Sequence, residues 1–442
     1  MTGAAGRSSF RRRAAIIALA VLLPIAAWSA WDYVEARRLS SAVKEIQARG
    51  EPVATPTRRV PRQFQRSAGA YYDAAAVLID RTALSEVETA LYFGRGERAA
   101  NIARLRAWLD ANRDADRLLD QGTIAEFTGV QAYQDHLRWD RLMKVSSLAR
   151  ARVVERLDAH DGEGTAAALV RQLQIARAMD VVASDWVPFF FERALGDFGD
   201  VLSGKLSPAT LERLQKIIRT YDRDDLIRAD AMNARGVLIE SLWSPASNWY
   251  GRPPGPFYGN PLEPLAYFLL RPWLAHKVTG ELRRLDQALA ASTKPWPDRL
   301  KSVDVPMPVI AARRWRFLDT PADTVAYLHQ QRARAYGRML ANLRTADAAA
   351  AVERYRTAHG GALPENLDAL VPAFLDRVPI DPFTGAAVKW KTSPSGYTIY
   401  SIGADFRDDG GRTSLPAWKP GLSRQDRERP DIGVEVAVEP RT

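Results

Sequence analysis

An uncharged stretch near the amino terminus constrains this chain more than any other feature. From Ala14 to Trp31 no residue carries a charge, and Ser29 is the one clearly polar side chain. As an α-helix the stretch would be about 27 Å long, which is close to the hydrocarbon thickness of a bilayer. The sequence therefore predicts a single transmembrane helix.

The residues that flank this stretch indicate its orientation. Arg11, Arg12 and Arg13 precede it, and Trp28 and Trp31 lie near its other end. Basic residues favour the cytoplasmic side of a span, and aromatic residues concentrate at membrane interfaces. We therefore expect an anchor in the inner membrane, with the amino terminus in the cytoplasm and the carboxy-terminal bulk in the periplasm. A signal peptide, cleaved among the small residues before Trp31, is the alternative.

Charge and composition exclude several classes of function. The 442 residues include 62 Lys or Arg and 52 Asp or Glu, a net charge of +10. Eight basic and three acidic residues lie in the first fifty, so half of the excess belongs to the membrane-topology signal. The other half is interleaved with acids, and we expect no nucleic-acid partner. The absence of cysteine excludes disulfides, a Cys nucleophile and thiolate metal sites.

Apolar periodicity predicts a mainly α-helical chain beyond the anchor. Ser207 followed by Pro208 is a helix-start signal, and a long helix is expected from Pro321 to Ala358. A break at Gly162 and Gly164 resembles a tetratricopeptide-type hairpin, but no fixed repeat follows. The predicted regions are a basic tail (1–13), the anchor (14–33), a juxtamembrane helix and linker (34–63), an α-helical domain (64–320), a long helix with an α+β module (321–411), and a carboxy-terminal tail (412–442).

A proline-rich segment interrupts the helical pattern between Ser244 and Pro264. Four aromatic residues lie within it, and exposed aromatic side chains often supply much of the energy of binding. We predict that these residues form a partner-binding surface: Trp249, Tyr250, Phe257 and Tyr258. The alternative is an ordered loop that packs against the helical domain.

The character of the chain changes after residue 359. A short helix is expected from Pro364 to Val371, and two strands, Val388 to Lys391 and Tyr397 to Ile402, form a predicted β-hairpin around a Ser-Pro-Ser-Gly turn. The segments ERYRTAHGGALPENLDALVP, VPIDPFTGAAVKW and GYTIYSIGADFRDDGG occur here in that order. This region resembles the globular part of the major pseudopilins of type II secretion. The resemblance implies a long helix packed on a small antiparallel sheet.

The resemblance also implies a calcium site in the last loop, because the pseudopilins bind calcium there. The corresponding ligands would be Asp405, Asp408, Asp409 and Asp431. Calcium prefers several oxygen ligands on a flexible loop. The alternative is that Asp-Asp-Gly-Gly forms only a solvated turn.

The amino terminus departs from the pseudopilin pattern. Gly6 is followed by Arg7 and Ser8, with no processing signature and no glutamate in the apolar segment. The chain is therefore not itself a pseudopilin. Its layout resembles a group of bacterial envelope proteins that combine an anchor, a Gly-Glu-Pro element (here Gly50 to Pro52), a helical middle and this carboxy-terminal module.

No catalytic motif is evident in the sequence. Histidines at metal-binding helical spacing, a phosphate-binding loop of the Walker type and a Gly-x-Ser-x-Gly nucleophile elbow are all missing. We therefore predict a non-enzymatic interaction or scaffold protein of the envelope, with partners in the inner membrane and among secretion or pilus-like proteins. The alternative is an envelope enzyme whose site is built from dispersed carboxylates of the helical domain.

Overall fold

The computed structural model describes residues 4–51, 53, 68–80, 98–124, 137–180, 187–223, 225–241, 263–303, 321–413 and 431–438. The chain divides into two compact units, each assembled from segments that are distant in sequence. Unit 1 comprises Met1–Pro56, Arg228–Ser292 and Asp304–Gln330, and unit 2 comprises Thr57–Ile227, Thr293–Val303 and Gln331–Thr442.

The described elements are mostly helices. They are α1 (Ala4–Ala48), α2 (Ala68–Leu78), α3 (Arg98–Ala111), α4 (Arg113–Ile124), α5 (Leu137–Asp158), α6 (Gly162–Asp180), α7 (Val187–Leu195), α8 (Phe198–Leu202), α9 (Pro208–Tyr221), α10 (Leu226–Ser241), α11 (Glu263–Ala291), α12 (Asp298–Val303) and α13 (Pro321–Ala358). A 3-10 turn at Leu367–Leu370 precedes the strands β1 (Lys389–Ser393), β2 (Gly396–Ser401) and β3 (Ile432–Ala437).

The core of unit 1 forms where α1, α10 and α11 meet. Ile46 of α1 is 1% exposed and packs among apolar side chains of the other two helices. Those side chains recur three or four residues apart, so each helix contributes one face. The core comprises Ile46, Ala231, Ala234, Leu238, Ile239, Val278, Leu282, Leu285 and Leu289.

Helix α1 is continuous from the apolar stretch into this core. It passes through Pro24 and ends at Ala48, so the predicted anchor and juxtamembrane helix are one element. Its end is a Schellman motif, in which the Gly50 amide binds the Gln47 carbonyl and the Glu51 amide binds the Ile46 carbonyl. Gly50 has φ +70°, a conformation that glycine adopts without the cost of a side chain.

Unit 2 contains a helical stripe of buried apolar residues and the predicted helix start. Val145, Ala149 and Val153 of α5 are all buried, as their four-residue spacing indicates. The Ser207 hydroxyl accepts a hydrogen bond from the Thr210 amide and caps α9, whose first residue is Pro208. The glycine break is shorter than predicted, because Gly162 already lies in the first turn of α6.

The carboxy-terminal module is a three-stranded antiparallel sheet in the order β1-β2-β3. The predicted hairpin is confirmed, with Ser393 opposite Gly396 at its turn. The third strand, β3, pairs along the whole of β2 and lies within the segment predicted as a carboxy-terminal tail. The segment from Pro364 to Val371 holds only the 3-10 turn, which Asn366 caps through its side chain.

Side chains of α13 and of the turns hold the sheet in place. The Tyr397 hydroxyl lies 2.7 Å from Oε1 of Glu353 on α13, and both side chains are buried. Asp381, 1% exposed, accepts hydrogen bonds from the Phe383 amide, the Ser401 hydroxyl and the Ile402 amide. The aspartate of the Pro-Ile-Asp-Pro segment is therefore a structural residue that joins a turn to the end of β2.

The predicted fold class is confirmed at the level of a mainly α-helical chain with an apolar amino-terminal helix and a small antiparallel sheet. The long helix matches its predicted bounds, Pro321 to Ala358. The pilin-like character of the module stays a prediction.

Candidate membrane-facing site and carboxy-terminal aspartate loop

The apolar half of α1 presents its side chains to the outside of unit 1. The large apolar residues there are each more than half exposed: Ile16, Ile17, Leu19, Val21, Leu22, Leu23 and Ile25. The helix is long and apolar enough to cross a membrane, a test that a signal sequence also passes. A water-soluble surface does not normally expose so continuous an apolar stretch.

The residues predicted to flank the membrane span all lie in α1, and their role at the membrane interface stays a prediction. Trp31 is 44% exposed, whereas Trp28 is half-buried. The Trp28 ring lies 4.7 Å from the Phe268 ring of α11, and its Nε1 donates a 2.9 Å hydrogen bond to the Leu269 carbonyl. The backbones of Arg11, Arg12 and Arg13 are helical, and their side chains lie outside the described residues.

A layer of charged residues follows the apolar half of α1. Asp32 is paired with Arg271 of α11, whose Nε donates a 2.8 Å hydrogen bond to Oδ1. One turn later, Glu35 accepts a 2.8 Å hydrogen bond from Arg38 and lies 3.3 Å from Nδ1 of His276. These first two acids of α1 are buried because they face α11, where oppositely charged or polar groups meet them.

Three exposed apolar residues of α11 belong to the same region and are not among the predicted site residues. Leu265, Phe268 and Leu269 are each more than half exposed, beside Trp28 of α1. The sequence signal was available, because residues 264–270 read PLAYFLL without a charge. A short apolar run of this kind fits a buried helix equally well, so the sequence alone does not mark these residues as exposed.

The other end of the α1–α11 pair carries an ion cluster. Nη1 of Arg235 lies 2.7 Å from Oε2 of Glu51 and 3.2 Å from Oδ1 of Asp286, and Arg49 contacts both acids. Burial alone would raise the pKa of Glu51, but hydrogen bonds from Arg235 and Arg49 outweigh it and lower that pKa. The cluster therefore holds Glu51 ionised at neutral pH.

The structure brings the four predicted calcium ligands to one loop region but gives their oxygens other partners. Asp431 accepts hydrogen bonds from the amides of Asp409 and Gly411. Asp408 lies 2.5 Å from Nζ of Lys389, and Asp405 accepts from the Arg407 amide.

The pKa values of Asp408 and Asp431 are shifted in opposite directions. The Lys389 ammonium and the Gly410 amide lower the pKa of Asp408. Burial raises the pKa of Asp431, and the nearby charges of Asp408 and Asp409 raise it further against the two amides that lower it. Within the described ranges no three His, Cys, Asp or Glu side chains are placed to hold a metal ion. Calcium binding at this loop stays a prediction from the resemblance.

The predicted partner-binding residues Trp249, Tyr250, Phe257 and Tyr258 lie outside the described residues. Their role as a partner surface stays a prediction.

Unit 1 also contains a buried acid–histidine pair. Nδ1 of His329 lies 2.6 Å from Oδ2 of Asp230, and both side chains are at least 95% buried. Nε2 of His329 is buried and has no hydrogen-bond partner among the residues that the structure describes. A carboxylate that orients an imidazole occurs in catalytic sites and in structural pairs alike, so the pair by itself assigns no reaction.

Comparison with known proteins gave no match to a family model, a curated protein or a solved structure.

Proposed function

We propose that this chain is an inner-membrane-anchored protein of the bacterial envelope that serves as an interaction or scaffold component. Helix α1 is the anchor, the amino terminus is cytoplasmic, and the remainder lies in the periplasm. The partners are envelope proteins of the secretion or pilus-like type.

The continuity of α1 is the observation that best supports a retained anchor. Its apolar half is exposed, and the same helix continues to Ile46 in the core of unit 1. Cleavage of a signal peptide near Trp28 would cut the helix where it contacts Phe268 and Leu269. A retained anchor keeps these contacts, which is why we favour it over a cleaved signal.

The charges near the amino terminus support the orientation. Arg11, Arg12 and Arg13 precede the apolar stretch, and basic residues at this position favour the cytoplasmic side. At the other end, Asp32 and Glu35 are paired with α11, so the helix leaves the apolar region among compensated charges.

The scaffold role rests on the carboxy-terminal module and on the proline-rich aromatic segment. The helix-and-sheet arrangement of α13 with β1, β2 and β3 is compatible with the resemblance to secretion pseudopilins. A periplasmic portion that is held by a membrane anchor suits a protein that positions partners at the membrane.

Membrane fractionation with protease accessibility tests this proposal. The full chain with a carboxy-terminal epitope should resist carbonate extraction, keep its full length and lose the epitope when spheroplasts are treated with protease. A soluble, shortened chain would support a cleaved signal, and a protease-protected carboxy terminus would overturn the topology.

Co-purification from detergent extracts tests the scaffold role. We expect envelope or secretion-system proteins to be retained by the wild-type chain and lost from a variant in which Trp249 and Tyr250 are both replaced by Ala. Identical retention by both chains would contradict the assignment of the aromatic segment as the partner surface.

A further inference from the structure

We propose that the amino-terminal end of α11 inserts into the periplasmic leaflet of the membrane beside α1, as a second contact between unit 1 and lipid. The inference rests on the proposed anchoring by α1. It assigns a lipid-binding role to Leu265, Phe268 and Leu269.

The first step is the relative direction of the two helices. Trp28 contacts Phe268, Asp32 pairs with Arg271, and Arg49 pairs with Asp286. Residue numbers rise together along both helices, so α1 and α11 are parallel. The beginning of α11 therefore lies beside the apolar half of α1, and its end lies beside the carboxy-terminal end of α1.

The second step is that both helices change from apolar to charged at the same level. On α1 the uncharged stretch ends at Trp31 and the first charge is Asp32. On α11 the uncharged run ends at Leu270 and the next residue is Arg271. Asp32 and Arg271 are paired with each other, which fixes a common polar boundary for the two helices.

The third step is the exposure of the apolar residues below that boundary. Leu265, Phe268 and Leu269 are exposed and are continuous with the exposed apolar surface of α1 through the Trp28–Phe268 contact. Leu265 lies about 9 Å before Arg271 along the helix, which matches the roughly 5–10 Å to which interfacial helices penetrate. Lipid surrounds the part of α1 that precedes Asp32, so the adjoining surface of α11 also contacts lipid.

The absence of native cysteine permits a direct test in the full chain. Single-cysteine variants Phe268→Cys and Leu265→Cys are labelled with an environment-sensitive fluorophore and reconstituted into nanodiscs of phosphatidylethanolamine and phosphatidylglycerol. Quenching by nitroxide-labelled lipid and by aqueous iodide is then compared. Two variants are used because Phe268→Cys removes the ring contact with Trp28, whereas Leu265→Cys preserves it.

Two matched positions complete the experiment. Leu22→Cys on the apolar half of α1 reports anchoring itself. Arg283→Cys is exposed on α11, about 22 Å beyond Phe268, and should be quenched by iodide and not by lipid. We expect Phe268→Cys and Leu265→Cys to resemble Leu22→Cys, with lipid quenching several-fold stronger than at Arg283→Cys.

The outcomes separate the two proposals. Lipid quenching at Leu22 together with iodide quenching at both α11 sites would overturn the insertion of α11 and leave the anchor intact. Protection of the α11 sites from both quenchers would also overturn it, in favour of a covering protein surface. Iodide quenching at Leu22 would overturn the anchor and the insertion together.

Discussion

Arg235, whose side chain is entirely buried, donates a 2.7 Å hydrogen bond to Glu51, which lies 184 residues earlier in the chain. The Schellman turn at Gly50 ends α1 and brings Glu51 to this position. The Gly-Glu pair thus has a structural explanation: glycine makes the turn, and glutamate neutralises a buried guanidinium of α10.

Replacing Glu51 by Gln should lower the stability of the full chain by about 1–3 kcal/mol, because the buried Arg235 loses one of its charge partners. Chemical denaturation in detergent, followed by circular dichroism, measures the change. Glu45→Gln is the matched control, since Glu45 is exposed near the end of the same helix. The control should change stability by less than about 0.5 kcal/mol, and equal losses in both variants would contradict the role of Glu51.

Acidification should weaken the same interaction. Despite the opposing effect of burial, Arg235 and Arg49 lower the pKa of Glu51 below its ordinary value of 4.5. The ion pair therefore contributes fully above that value and is lost as the pH falls through the lower pKa of the folded state. We expect the stability difference between the wild type and Glu51→Gln to shrink from pH 7 toward strongly acid pH. A difference independent of pH would show that charge is not its cause.

Tyr397→Phe should destabilise the module by about 1–2 kcal/mol, because Glu353 then loses a buried hydrogen-bond partner. The pair joins β2 to α13 at 2.7 Å. Thermal denaturation of the full chain measures the effect. Tyr355→Phe serves as the control, because it preserves the ring that stacks on His359. A neutral Tyr397→Phe would indicate that packing of the ring alone holds the strand.

Two glycine substitutions should have effects of opposite sign. A Cβ on Gly199 of α8 would lie 2.1 Å from the Glu435 carbonyl oxygen of β3, so Gly199→Ala should cost about 1–3 kcal/mol. Gly280 lies in the middle of α11, and a Cβ there would have no atom within 4 Å. Because alanine favours a helix more than glycine does, Gly280→Ala should stabilise the folded chain by about 0.5–1 kcal/mol. Chemical denaturation of both variants measures these changes, and a neutral Gly199→Ala would mean that α8 and β3 are not in close contact.

The resemblance to pseudopilins predicts that calcium raises the melting temperature of the full chain, because a ligand that binds only the folded state stabilises it. Binding would also relieve the repulsion that Asp431 experiences from Asp408 and Asp409. Asp405→Ala should abolish the shift, whereas Asp376→Ala, at an exposed aspartate, should retain it. A melting temperature that calcium does not change would remove the calcium prediction.

Local patterns in the sequence were sufficient for several elements. The bounds of α13 and the capped start of α9 follow from proline placement and apolar spacing, and the β1–β2 hairpin follows from its turn residues. Each of these signals lies within a short window, so no knowledge of distant residues is required. The third strand is not predicted from the sequence, because about thirty residues separate β3 from β2 and no short turn joins the two strands.

The apolar stretch by itself determined that the amino-terminal helix is suited to a membrane, because length and absence of charge are properties of the sequence. Tertiary structure alone decided where the paired surfaces lie. Asp32 and Arg271 are 239 residues apart, and their pairing aligns the apolar end of α11 with that of α1. Such a register depends on which helix faces pack together, and burial selects those faces from the whole chain at once.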